Sequence, residues 1–208
     1  MRGMIFALGL AAAMCAGEAV AADAPISPPS PLIGPDTGNW SHATFSRHFT
    51  VGSLKGDIGG TPLSAIARQV GGQVQSGGAG SADMQQWLCY DLPSAHQRIW
   101  LSITDEDGNG KTTGMITAVP LTDRDPHSPT CTPLAKAATP LVIDDGIKLG
   151  MTRAQLTARL GAPSKDVSGW LVYRANPKIN GASVITSLTV HVEADRVVFL
   201  EAFMISTD

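Results

Sequence analysis

The residues best placed to do chemistry lie in one acidic run, Asp105-Glu106-Asp107-Gly108-Asn109-Gly110-Lys111. Asp105, Asp107 and Asn109 stand at the first, third and fifth positions of a calcium loop, and a glycine follows at the sixth, where such a loop needs a sharp turn. The twelfth position, which should supply a bidentate carboxylate, is Ile116, and the flanks read as strands. A solvated hairpin turn is therefore the favoured reading and a calcium loop the alternative. His42, His48, His96, His127 and His191 lie far apart, without metal-ligand spacing, and no Gly-x-Ser-x-Gly elbow is present. The glycines from Gly71 to Gly80 follow a helix signal instead of preceding one, so they present no helix N-terminus to a phosphate. No metal, cofactor or catalytic residue is expected from these patterns. A net charge of −3 without a basic cluster argues against nucleic acid as a partner, because phosphate neutralisation needs grouped Lys and Arg.

Of the three cysteines, Cys15 lies in an N-terminal stretch with the features of a secretory signal: Arg2, an apolar run from Met4 to Ala16, and the small-x-small site Ala19-Val20-Ala21. Residues 1–21 are read as a signal peptide cleaved near Ala21/Ala22, and the protein as periplasmic or secreted. The residues before Cys15 do not form a lipobox, so a lipoprotein is not expected, and no apolar stretch reaches transmembrane length. Cys89 and Cys131 then remain, and in an oxidising compartment they are expected to form a disulfide. The alternative is that Cys89 is simply a small apolar residue on a buried strand, where Val172 stands in the second half.

The elements that must position these groups occur in two similar series. Residues 22–50 are a Pro-rich leader and 120–140 a linker, and they separate modules at 51–119 and 141–208. Each module has a short helix, then a Trp-x-x-Tyr strand, then further strands. In the second, Thr152 and Gln155 form a capping box, Met151 and Leu156 a hydrophobic staple, and Gly161 and Pro163 a stop. In the first, Thr61 is the expected cap, with Pro62 in the first turn, Ile66 and Val70 buried, and Gly71 as the stop. The expected fold class is α+β, a tandem repeat of a small helix-plus-antiparallel-sheet module.

Trp87, Tyr90, Trp170 and Tyr173 are the aromatic landmarks of the two Trp-x-x-Tyr strands, and a spacing of three places each Trp and its Tyr on opposite sheet faces. Alternation from Leu188 puts Thr189, His191 and Glu193 on a polar face. Trp87, Tyr90, Trp170, Tyr173 and His191 are the candidate binding residues, although for the four aromatics packing in the core or half-buried on the sheet is the favoured reading and a binding anchor the alternative.

The run Gly150-Met151-Thr152-x-x-x-Leu156-x-x-x-Leu160-Gly161-x-Pro163, followed by Trp170-x-x-Tyr173 and a Val-rich hairpin around Asp195, resembles the SmpA/OmlA (BamE-like) family of small outer-membrane assembly lipoproteins. It is also similar to the β-lactamase inhibitory protein (BLIP-like) family, in which the helix-plus-sheet unit occurs in tandem. The second copy matches better than the first. The resemblance implies an exported, non-enzymatic binding or scaffold protein of the bacterial envelope, contacting another envelope or secreted protein through its sheet. Secreted inhibition of a hydrolase such as a β-lactamase is the alternative, and an unrecognised enzyme the remaining one. A small-molecule ligand is not expected.

Overall fold

A computed structural model of the chain describes residues 25–30, 47–77, 85–104, 114–122, 128–134, 139–144, 146–179 and 182–206. Helix α2 (Arg153–Leu160) begins as its sequence demands: Thr152 Oγ1 accepts the Gln155 amide at 3.1 Å, and Gln155 Oε1 accepts the Thr152 amide at 2.9 Å, so two otherwise unsatisfied donors are paired reciprocally. Replacing Thr152 by Ala is expected to cost about 1 kcal/mol in a urea titration, since both capping bonds depend on that residue's geometry. Helix α1 (Leu63–Val70) starts differently from expectation. Pro62 is its cap residue and no side chain caps it, while the Thr61 hydroxyl accepts the Asp57 amide at 2.8 Å. Thr61 is thus spent on holding the turn that leads into the helix.

The fold class differs from the expected α+β tandem. Strands β3 (Gln75–Gly77), β4 (Gln85–Leu92), β5 (Gln97–Thr104) and β6 (Met115–Pro120) form one series, and β9 (Lys165–Val167), β10 (Trp170–Ala175), β12 (Ala182–Glu193) and β13 (Arg196–Ser206) the other. They do not remain two sheets. Pairing of β6 with β13 joins them in the order β3-β4-β5-β6-β13-β12-β10-β9, with β7 (Thr132–Pro133) on β4 and β11 (Lys178–Ile179) on β12, giving ten strands. Only the β4–β7 pairing is parallel among the described strands. Against this stand two α-helices of 8 residues each, so the chain is a sheet-rich fold and not a tandem of helix-plus-sheet modules. The physical reason lies in the edges. Joining β6 to β13 satisfies two rows of backbone donors and acceptors at once, and it carries Ile116, Ala118, Leu200 and Ala202 into one buried cluster.

That cluster lies on one face of the sheet. It contains Leu88, Tyr90, Ile99, Leu101, Leu188 and Val190 from the strands, with Ile66 of α1 and Leu156 and Leu160 of α2 packed over them. A second sheet, β2-β1-β8, joins β1 (His48–Val51), β2 (Leu54–Asp57) and β8 (Val142–Ile143), and it adds Phe49, Val51, Leu54 and Ile143 to the same core. Since β1 pairs with β8, residues early in the chain close over residues from beyond its midpoint. The hairpin from β12 to β13 turns on Ala194 (φ 46°) and Asp195 (φ 60°), the paired left-handed conformation that matches strand twist in a two-residue turn. The expected turn at 105–111, with its calcium-loop residues Asp105, Asp107 and Asn109, lies outside the described residues, as do residues 1–24 with the expected signal peptide.

Candidate functional site

The face of the large sheet opposite the helices carries the candidate site. Residues paired directly across antiparallel strands point to the same side, so the registers define rows. One row runs Cys89, Trp100, Thr117, Glu201, Thr189, Val172 and Lys165 across seven strands. A flanking row at the second end runs Phe199, His191, Trp170 and Val167.

At the first end of this face the aromatics are sealed. Trp87 and Trp100 are buried in a cluster with Cys89 and Cys131, which form a disulfide with a Cα separation of 4.5 Å. Ile26 packs on this cluster, and its carbonyl accepts the Trp100 indole N–H at 3.0 Å. The expected disulfide is thus present, and it ties the segment around Cys131 down to β4. Beside it, Arg98 and Asp91 form a buried two-point ion pair at 2.6 and 3.1 Å, on directly opposed positions of β4 and β5. Ligand-type atoms of Cys89, Asp91 and Cys131 lie within 4.8 Å of one another, but the two sulfurs are bonded to each other and Asp91 to Arg98.

At the second end an aromatic platform remains partly open. The rings of Trp170 and His191 stack with centroids 4.5 Å apart and 17° between planes, and Phe199 meets Trp170 edge-on at 5.3 Å. His191 Nδ1 lies 3.3 Å from a Glu193 carboxylate oxygen, which orients the imidazole. Gly169 makes room for that ring: φ is +85°, and a Cβ there would lie 2.8 Å from the Val192 carbonyl oxygen and 3.2 Å from His191 Nε2. Val167, 50% exposed, borders Trp170 in register on β9. The platform is held on the backbones of four strands, so its geometry is set before anything binds.

Of the five candidate binding residues, Trp170 and His191 come together here and the other three do not reach the surface. Trp and Tyr of each motif lie on opposite faces, as their spacing requires, but Trp87, Tyr90 and Tyr173 are at most 1% exposed. The first half loses its surface site because Ile26 and Cys131 cover Trp87 and Trp100. Tyr90 and Tyr173 belong to the helix side. The Tyr90 hydroxyl donates to the Gly71 carbonyl at 2.7 Å, tying β4 to the end of α1, and burial pushes its ionisation upward.

Phe199, Val167 and Glu201 were not singled out from the sequence. Val167 and Phe199 read as ordinary strand residues, and only the register that sets them beside Trp170 gives them a role. Glu201 interrupts the apolar run Val197 to Phe203, which is a visible signal. It lies between Thr117 and Thr189, 9% exposed, without a hydrogen-bond or ion-pair partner among the described residues, and burial pushes its carboxyl up to about 7. The hydroxyls of Ser102 and Thr117 on the same face are also buried without partners.

An open cleft of about 720 Å³ lies elsewhere, between the 146–151 loop and α2. Lys148, Arg159 and Arg196 line it, and the two guanidinium groups donate to the Asp144 and Gly150 carbonyls at 3.0 Å each. Comparison of the chain with protein-family models, curated proteins and solved structures finds no match.

Proposed function

We propose that this chain is an exported, non-enzymatic binding or scaffold protein of the bacterial envelope, which docks another protein on the open face of its large sheet. One observation carries the reading: a stacked Trp170–His191 pair with Phe199 at its edge and Val167 exposed beside it, all on the sheet face that neither helix covers. Partly exposed rings such as Trp170 and His191, backed by the buried Phe199 on a rigid frame with polar groups around them, are the usual anchors of protein interfaces. Export is supported by the N-terminal pattern of charge, apolar run and small residues, and by the disulfide, which persists in oxidising compartments. Among the described residues no helix is long and apolar enough to cross a membrane.

Capture of partners from an envelope extract by wild type and by Trp170→Ala, both checked by circular dichroism, tests the docking face. Loss of about 1 to 3 kcal/mol of binding with the fold retained is expected. Equal capture by the two proteins would remove the platform from the binding surface. Inhibition of a purified hydrolase such as a β-lactamase by the wild type would shift the reading from scaffold to inhibitor.

A further inference from the structure

The cleft between the 146–151 loop and α2 gathers positive charge in a chain whose net charge is −3. Backbone bonds set its shape: the Gly150 amide donates to the Val197 carbonyl and the Val197 amide to the Met151 carbonyl, each at 2.8 Å, so the loop is fastened along the start of β13. Three cationic side chains line it from three segments, Lys148 from the loop, Arg159 from the last turn of α2 and Arg196 from the first position of β13. Gly146 makes room for one of them, since a Cβ there would lie 2.9 Å from Nη1 of Arg159. Both guanidinium groups donate to backbone carbonyls, Arg159 to that of Asp144 and Arg196 to that of Gly150. A carbonyl orients a guanidinium without cancelling its charge. The carboxylates next to Arg196 in register and in sequence have other partners, Glu193 facing His191 and Asp195 accepting the Arg153 amide. Lys148 and Arg196 are exposed, and neither forms an ion pair with a described carboxylate. Leu149 and Met151, which pack on the core, contribute apolar surface to the same cleft.

We propose that this cleft binds an acidic segment of a partner protein, with carboxylates on Lys148, Arg159 and Arg196 and apolar side chains against Leu149 and Met151. Guanidinium groups present a planar fork that matches a carboxylate, and the surrounding positive charge draws such a segment in. A volume of about 720 Å³ is the size of sites that take organic ligands and not a lone inorganic ion. The concave form favours a protein chain over a membrane. Cations that meet an anionic bilayer must project towards it, whereas both guanidinium groups here are drawn back onto backbone carbonyls. The cleft and the Trp170 platform share no residue, so the two surfaces can be tested separately.

The test is a titration, followed by NMR, of the isotope-labelled full chain with a synthetic octapeptide alternating glutamate and alanine, and with its glutamine-for-glutamate counterpart. The amide signals of Gly146, Lys148 and Gly150 should shift saturably with the glutamate peptide and not with the glutamine peptide, and the affinity should fall as sodium chloride is raised. Lys148→Gln, at an exposed position, should weaken binding about threefold, and Lys148→Gln with Arg196→Gln, folded by circular dichroism, about tenfold. Trp170→Ala should bind the glutamate peptide as the wild type does. Absence of a saturable shift at millimolar peptide, an equal shift with the glutamine peptide, or unchanged affinity in both charge variants would overturn the proposal. Loss of binding in Trp170→Ala would place the peptide on the sheet face and overturn it as well. Phosphatidylglycerol vesicles that shift the same signals where the glutamate peptide does not would assign the cleft to a membrane surface instead.

Discussion

Replacing Cys89 and Cys131 together by alanine is expected to lower the unfolding free energy by about 3 to 4 kcal/mol. The two cysteines are 42 residues apart, and the disulfide removes the corresponding loop-closure freedom from the unfolded chain. In a domain of this size that loss corresponds to a fall in thermal midpoint of roughly 10 °C. The bond lies under Trp87, Trp100 and Ile26, so alanine at both positions also leaves those side chains less well packed. Urea unfolding of the double variant beside the reduced wild type measures both contributions. A loss under about 1 kcal/mol would mean that the unfolded chain is already constrained in this region and the bond adds little.

Glu201→Gln is expected to stabilise the protein by about 3 kcal/mol at pH 8 and to leave stability near pH 4.5 almost unchanged. Burial raises the carboxyl from an ordinary 4.5 to about 7, a difference worth about 3 kcal/mol between its protonation states. Between those two values the folded protein holds a proton that the unfolded chain has released, so the wild type loses stability as pH rises through the window from about 4.5 to about 7. Below the window both states are protonated and no penalty applies; above it the folded state carries a buried carboxylate between Thr117 and Thr189. Glutamine keeps the shape and does not titrate. Urea unfolding of both proteins from pH 4.5 to 8 gives the difference curve, and subtraction removes the histidines common to both. Parallel curves across the window would show that the carboxylate is better solvated than its position between two buried threonines implies.

Local structure was legible in the sequence wherever short-range chemistry decides it. The Thr152–Gln155 capping box, the Gly161 stop, the two-residue turn at Ala194-Asp195 and the opposite faces of Trp170 and Tyr173 all follow from groups a few residues apart. Thr61 shows where that logic stops: its residue type suits a helix cap, but the hydroxyl serves the nearby Asp57 amide because the β2 turn brings it there first. The disulfide was legible for a different reason, since an expected oxidising compartment and the count of cysteines point to Cys131 as the partner for Cys89.

The amino-acid sequence by itself indicated the central strands β4, β5, β6, β10, β12 and β13, the two helix positions, the pairing of Cys89 with Cys131, and that the Trp and Tyr of each motif take opposite faces, but not β1 and β7, which fall within the stretches read as leader and linker. Tertiary structure alone decided that β6 meets β13, turning an expected tandem of modules into one continuous sheet, because the choice between two free edges and one shared ladder depends on residues some eighty positions apart. It also decided which candidate residues are usable. Trp87 and Trp170 have the same local pattern, yet Ile26 and Cys131, remote in the chain, bury one end of the face and leave the other open. A side chain's direction is a property of its strand, whereas its exposure depends on whatever distant segment comes to lie over it.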